Sequence, residues 1–424
     1  MRPSILPRLR SASSALGLLV LAGGTAHPAA LQAQGAPNAA QPAAGVVPGV
    51  EVLLTDSLHL LRGKRVGLIT NHSGRDRAGT STIDLLARAP GVKLVALYGP
   101  EHGIRGAAEA GVKIASSRDS ATGVPVHSLY GATQVPTAAM LRDVDVLVYD
   151  IQDVGARVYT YVWTMALAAD SARKPFIVLD RPNPIRADRV DGGLLDPKFA
   201  SFVGQYPVAL RYGLTPGELM RYLVGTKQVN PPSLTVVPMK GYTRAQWWDA
   251  TGMPWQNPSP NLRDLDATLL YTGTVFVEGT TMSEGRGTDA PFKVVGAPWL
   301  TDAGAIAAAL NARGIAGVRF DSTSRTVSAG QKHAGRTIPM VQLTVTDRDR
   351  VTPVEAGVWL LREIHRRHPK ELEWRTSHMD RLAGDARVRT AITTGDEAVT
   401  TVLRELAEES RRFQESTRAY WLYQ

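Results

Sequence analysis

Between Val50 and Asp180 the chain alternates two hydrophobic rhythms. Four short apolar runs, Arg65–Thr70 (RVGLIT), Lys93–Tyr98 (KLVALY), Val144–Asp150 (VDVLVYD) and Phe176–Asp180 (FIVLD), read as strands. Their Val, Ile and Leu residues follow one another with little polar alternation, as in strands covered on both faces. Between them, Ser81–Arg88, with Ile83, Leu85 and Leu86 apolar, and Thr160–Arg173 read as helices. Strands and helices in alternation predict an α/β fold with a mostly parallel sheet. Thr215-Pro-Gly-Glu218 opens a further helix, with Thr as N-cap, Pro first and Glu third. Leu234–Met239 and Leu269–Val277 read as strands, and the proline-rich stretch Trp247–Asn261 as a loop. Beyond a boundary placed near residue 273, a strand is expected at Ile338–Val345 and helices at Pro353–His368 and Asp396–Arg411.

Each early strand ends in polar residues: Asn71 and His72; Glu101 and His102; Asp150, Gln152 and Asp153; Asp180, Arg181 and Asn183. Ligands of open α/β sheets bind at the carboxyl ends of strands, so these clusters are expected to converge on one edge. No G-x-G-x-x-G follows the first strand and no Walker A loop is present, which argues against a nucleotide site.

Composition adds a leader and a compartment. Arg2, Arg8 and Arg10 precede the apolar run Ala15–Ala22, which is too short for an ordinary membrane span and reads as a signal peptide over 1–33. An Ala-, Pro-, Gly- and Gln-rich linker is expected over 34–49. Export is therefore expected, to the periplasm or beyond, with no stable membrane span after cleavage. The chain has no Cys, so neither disulfides nor a lipid-modified cysteine is available. Its net charge is +9, or +6 without the three leader arginines. That suits an anionic partner, but no basic run with interleaved aromatics points to nucleic acid.

Two segments are dense in chemistry-bearing residues. In Tyr98-Gly-Pro-Glu-His-Gly-Ile-Arg-Gly106, Glu101, His102 and Arg105 lie in a glycine-punctuated loop, suited to proton transfer. In Glu278-Gly-Thr-Thr-Met-Ser-Glu-Gly-Arg-Gly287, Glu278, Glu284 and Arg286 cluster in another. Asp150-Ile-Gln-Asp-Val-Gly-Ala-Arg157 and Asp180-Arg-Pro-Asn-Pro184 add acids, amides and arginines able to grip a carboxylate. Trp255 with Asn257-Pro-Ser-Pro-Asn261 has the makings of a sugar platform, whereas Trp247 and Trp248 read as core. Each segment also has a bland reading, as a turn, a helix cap, a surface ion pair or a hinge. No metal motif and no G-x-S-x-G elbow occurs.

The strings Gly67-Leu-Ile-Thr-Asn-His-Ser-Gly74, Pro100-Glu-His-Gly-Ile-Arg-Gly106, Asp150 to Arg157, Leu179-Asp-Arg-Pro-Asn-Pro184, Pro258-Ser-Pro-Asn261 and Glu278 to Gly287 stand in the order found in the exo-β-N-acetylmuramidases. The chain resembles that family from about Val50 to the C-terminus. The resemblance implies a Rossmann-like N-terminal domain (50–272), a smaller α+β C-terminal domain (273–424) and an active site in the cleft between them. It implies release of non-reducing terminal N-acetylmuramic acid from peptidoglycan fragments, without a cofactor or metal, with Glu101 as the catalytic carboxyl. The chain departs from the family at Val158, where an aromatic is usual, and at Arg186-Ala-Asp188, which replaces a usual glycine.

Glycoside hydrolysis ordinarily asks for a second group beside the acid. Glu284, Glu278, Asp153 and the 2-acetamido group of the substrate itself all remain open for it, and His102 is a further catalytic candidate. For the lactyl carboxylate the candidates are Arg105, Arg157, Arg181 and Arg211. Asn71, Asp150, Gln152, Asp153, Asp180, Asn183, Asn261, Glu278 and Arg286 complete the expected substrate-binding set. The principal rival is a non-catalytic muropeptide-binding protein on the same fold. An esterase or amidase lacks its motif here.

Overall fold

The computed structural model describes residues 45–104 and 117–424. The expected leader, most of the linker and Arg105 lie outside the described residues. The described residues take in the end of the expected linker: Val46 N–H donates to the Thr251 carbonyl (2.9 Å), and a helix runs from Gly49 to Asp56.

The N-terminal half holds β1 (Arg65–Thr70), β2 (Lys93–Gly99), β3 (Ser117–Arg118), β4 (Pro125–Ser128), β5 (Val146–Asp150), β6 (Phe176–Leu179), β7 (Asp191–Leu194), β8 (Ala209–Arg211) and β9 (Leu234–Val237). Seven of them form one sheet in the order β3-β4-β2-β1-β5-β6-β9, parallel throughout except for β3 at the edge. Counting only the parallel strands, the order is the doubly wound Rossmann one, with the switch point between β1 and β5. The strand residues divide by face. Val66, Leu68, Val146, Val148, Ile177 and Leu179 enter one core with helices Gly49–Asp56 and Thr82–Arg88. Ile69, Leu147, Tyr149, Phe176 and Val178 enter the other with helices Tyr161–Ser171 and Pro216–Gly225. Burial on both faces explains why these runs lack polar alternation. The capping box forms as the sequence predicts: Thr215 Oγ1 accepts from Glu218 N–H and the Glu218 carboxylate accepts from Thr215 N–H.

The C-terminal half carries a three-stranded antiparallel sheet of β10 (Val294–Gly296), β11 (Val318–Thr326) and β12 (Thr337–Val345), in the order β10-β12-β11. Helices Ala303–Ala312, Pro353–Arg367, Thr376–Ala383, Arg387–Thr394 and Asp396–Thr417 accompany it. One hydrophobic core runs through both halves, and the chain end returns to the first: Tyr423 donates to Asp180 (2.7 Å) and Arg244 lies over Trp421 (3.8 Å to the ring centroid).

One element differs from its sequence expectation. Leu269–Val277 is not a strand; helix Leu265–Thr274 passes into a 3₁₀ turn at Val275–Gly279. Asp264 caps the helix by accepting from Ala267 N–H (2.7 Å). Nearly every residue of this helix is buried, so it carries no amphipathic period and imitates a buried strand.

The same helix crosses Pro353–Arg367 at two glycines. A β-carbon on Gly273 would collide with the Pro353 carbonyl, and one on Gly357 with Gly273. In an open helix Gly→Ala stabilises by up to about 1 kcal/mol. Here Gly273→Ala is expected to destabilise by about 1–3 kcal/mol through overpacking, read as a lower urea midpoint. An unchanged or raised midpoint would contradict the close crossing.

Candidate active site

Three of the four polar strand ends meet at the switch point, and there they bind one another. Arg181 Nε and Nη2 clasp the Asp150 carboxylate, which also accepts from Thr82, and Arg181 Nη2 reaches the Arg75 carbonyl (2.8 Å). Asn71 Oδ1 accepts from the Ser73 amide (2.9 Å) and hydroxyl (2.6 Å), and Gln152 Nε2 donates to the Pro182 carbonyl (2.7 Å). Asp153 accepts from Tyr212 and from Gly155 N–H (2.8 Å); burial pushes its carboxyl up to about 6 against those bonds. Asp180 accepts from Thr215 (2.7 Å) and Gly217 N–H (2.8 Å), and Asn183 donates to the Leu214 carbonyl (2.9 Å). Arg157 donates to the carbonyls of Val208 (2.8 Å), Gly193 and Leu382, and Arg211 to that of Ile185.

These nine residues were expected to bind substrate. All are buried, and none lines the large cavity described next. Their side chains cross-link the strand-end loops, and buried charge in such a place must be paired. The switch-point crevice, a ligand site in many doubly wound folds, is thereby filled.

The fourth cluster, after β2, opens on a cavity of about 1120 Å³. Its walls come from both halves of the chain: Glu101 and His102; Tyr130 after β4; Val158, Tyr159 and Thr160; Ser259–Arg263; Tyr271; Glu278, Glu284, Arg286 and Phe292; Ser328–Lys332 in the β11–β12 hairpin; and Arg375 and His378. His102 holds a left-handed φ of 68° directly after Glu101, a strained backbone for a residue with a β-carbon. Gly287 admits the hairpin, because a β-carbon there would press on Ser328 and Gln331 (both 2.9 Å).

The three cavity glutamates differ in setting. Glu101 is half-buried and accepts from Thr160 Oγ1 (2.9 Å) and from the Tyr130 hydroxyl. Burial and the Glu101 charge push the Tyr130 hydroxyl well above its usual value, so it stays a donor. Glu278 pairs with Arg286 Nη2 (2.8 Å) and stands 3.8 Å from His378 Nε2. Burial raises its carboxyl, but the His378 hydrogen bond and the Arg286 and Lys332 charges outweigh that and hold it below its ordinary value. Glu284 pairs with Arg286 Nε (3.1 Å) and Lys332 Nζ (3.0 Å); the same lysine ties down the Met282 carbonyl (2.8 Å).

Aromatic rings supply the apolar surface. Tyr130 and Phe202 form a tilted pair 5.9 Å apart, and Tyr159, Tyr271 and Phe292 meet edge to face. Asn261 is buried, yet its Nδ2 has no hydrogen-bond partner among the described residues, a donor available to a ligand. Of the expected sugar platform, Ser259, Pro260 and Asn261 face the cavity, whereas Trp255 packs on Trp248 (5.6 Å, 90°) away from it.

Two family models together match residues 66–423 almost without a gap. The N-terminal model of the exo-β-N-acetylmuramidase NamZ matches residues 66–266, and its C-terminal model residues 269–423. The chain belongs to the exo-β-N-acetylmuramidase family. It is 42% identical over 379 residues to the peptidoglycan β-N-acetylmuramidase NamZ of Bacillus subtilis (strain 168), covering 88% of this chain and 91% of the relative. Two crystal structures of DUF1343 family proteins from Bacteroides fragilis superpose on it. One has a TM-score of 0.82 at 36% identity, covering 89% of this chain and 99% of the other. The second has a TM-score of 0.70 at 28% identity, covering 90% and 99%.

The two positions expected from sequence to depart from the family pattern fall in different places. Val158 lies on the cavity wall. Arg186 adopts φ 72°, the left-handed backbone that a glycine takes without strain, and holds it with ion pairs to Asp188 and Asp349. Sequence reasoning missed Tyr130, Tyr159, Thr160, Tyr271, Phe202, Lys332, Arg375 and His378. Tyr271 sits in the helix misread as a strand, and the C-terminal three belong to segments with no motif of their own.

Proposed function

We propose that this chain is an exo-acting glycoside hydrolase that releases non-reducing terminal β-linked N-acetylmuramic acid from peptidoglycan fragments, with Glu101 as the proton donor to the leaving oxygen. The observation that carries this reading is a saccharide-sized cavity with aromatic walls, lined by both the Pro100-Glu-His-Gly carboxyl and an ion-paired carboxylate cluster. Thr160 and Tyr130 orient Glu101 toward the cavity. Glu278 is held as an anion, which makes it a weak proton acceptor. Glu278 and Glu284, balanced by Arg286 and Lys332, are the cavity carboxylates left to face the cationic, oxocarbenium-like sugar of the transition state. Asp153 is withdrawn from the second catalytic role, being sealed beneath Tyr212.

The deciding assay offers the protein a chromogenic β-N-acetylmuraminide and the matching N-acetylglucosaminide. Release from the muraminide is the expected result. Binding of muropeptides without release from either would favour a non-catalytic binding protein. The Arg2, Arg8 and Arg10 leader with its Ala15–Ala22 run supports an exported enzyme; a mature N-terminus retaining Met1 in the fractionated cell would oppose that.

The lactyl carboxylate distinguishes muramic acid from glucosamine, and the cavity offers cations other than those expected from sequence. Arg286 and Lys332 are engaged by glutamates. Arg375 is exposed on the wall, its backbone anchored to the Gly279 carbonyl (2.8 Å), and its guanidinium forms no ion pair among the described residues. Arg263 on the same wall is likewise without an ion pair among the described residues, and of the two we assign the lactyl group to Arg375. Arg375→Gln is expected to lower the muraminide-to-glucosaminide ratio of kcat/KM by roughly tenfold or more, the worth of one charge-assisted bond. An unchanged ratio would remove Arg375 from that role.

A further inference from the structure

A second concavity of about 310 Å³ shares no residue with the catalytic cavity. It lies where the β7–β8 ribbon meets the 348–352 turn and helix Asp396–Thr417. Five arginines line it, Arg189, Arg211, Arg348, Arg350 and Arg411, against two acids, Asp191 and Asp349. Three of the seven charges are spent within the fold. Arg348 pairs with Asp249 and Asp266, Arg411 with Glu408 and Glu415, and Asp349 with Arg186. Asp191 accepts from Val354 N–H at the start of helix Pro353–Arg367.

Two guanidiniums, Arg189 and Arg350, make no side-chain hydrogen bond or ion pair among the described residues, and both are exposed at the mouth. Behind them Arg211 is 3% exposed, and its Nε is buried with no hydrogen-bond partner among the described residues. An unpartnered buried donor is costly and marks a place where something else accepts the bond. Burial pushes Arg211 down to about 10, opposed by the neighbouring Asp191 charge, and leaves it a cation at neutral pH. The pocket wants a compact anion with several acceptors.

We infer that this arginine-lined pocket binds a phosphate monoester, such as that of a phosphorylated sugar, independently of the catalytic cavity. Arg189 and Arg350 grip it from the rim, and Arg211 stands at the floor. Planar guanidiniums suit phosphate oxygens, and a dianion gains more from them than a lone carboxylate does.

The test is calorimetric titration of the whole protein with inorganic phosphate and, separately, with acetate, at fixed ionic strength. Wild type is expected to show one saturable phosphate site. That site is expected to persist in Glu101→Gln and to weaken about tenfold in Arg350→Gln and in Arg189→Gln. Both substitutions are at exposed positions and are expected to leave muraminide turnover unchanged, so loss of binding is separable from misfolding. Absence of a saturable site overturns the inference. So does phosphate binding that ignores both substitutions, and acetate binding as tight as phosphate overturns the choice of ligand.

Discussion

Glu101→Gln is expected to lower muraminide turnover by about 10²–10⁴-fold, the usual worth of a positioned acid. The amide keeps the shape of the carboxyl and its place between Thr160 and Tyr130, so the cavity is expected to stay formed. It has no proton of suitable acidity to give the leaving oxygen. Steady-state kinetics of the variant beside wild type, with thermal unfolding as a control, gives the answer. A loss confined to KM would make Glu101 a binding residue. A loss of kcat at unchanged stability is the signature of the proposed role. Substitution of Glu284 is expected to act differently, because removing it takes away the carboxylate of Lys332, leaves Arg286 to Glu278 alone and loosens the wall that carries the hairpin loop.

The second large effect is on stability. Asp150→Ala leaves the Arg181 guanidinium, 1% exposed, without its carboxylate at the switch point. Breaking one side of a buried pair costs about 3–5 kcal/mol, because the remaining charge is buried and uncompensated. Denaturant unfolding of Asp150→Ala is expected to show a loss of that order. Muraminide-to-glucosaminide selectivity in the folded fraction is expected to be unchanged. A selective loss toward muraminide with stability intact would restore the expectation that Arg181 reads the lactyl group.

These two substitutions mark the limit of what motif reading supplies. Glu101 and Asp150 stand in strings of similar density, each at the end of a parallel strand, and each is surrounded by acids, amides and arginines. One faces a cavity and the other is sealed by Arg181 and Thr82. Burial of a side chain depends on which loop folds over it, and Ser73 and Arg75 from the loop after β1 meet Pro182 from the loop after β6 to close the switch point. Residues that cross-link loops of a fold and residues that touch its substrate both demand particular chemical groups, so a string alone does not separate them.

The sequence by itself determined the doubly wound half. Apolar runs bounded by helix caps sufficed, because a strand buried on both faces must be continuously apolar and a capping box must stand three residues apart. It also determined the family, the Glu101 loop and the Glu278–Arg286 loop, whose residue types sit close together along the chain. Only the tertiary structure decided that helix Leu265–Thr274 is a helix, since all-round burial erases the period that would announce it. It alone brought Arg375, His378 and the Ser328–Lys332 hairpin to a cavity that opens more than 200 positions earlier in the chain, at Glu101. It also turned nine expected ligand-binding residues inward. Long-range packing chose those partners, and no local spacing records it.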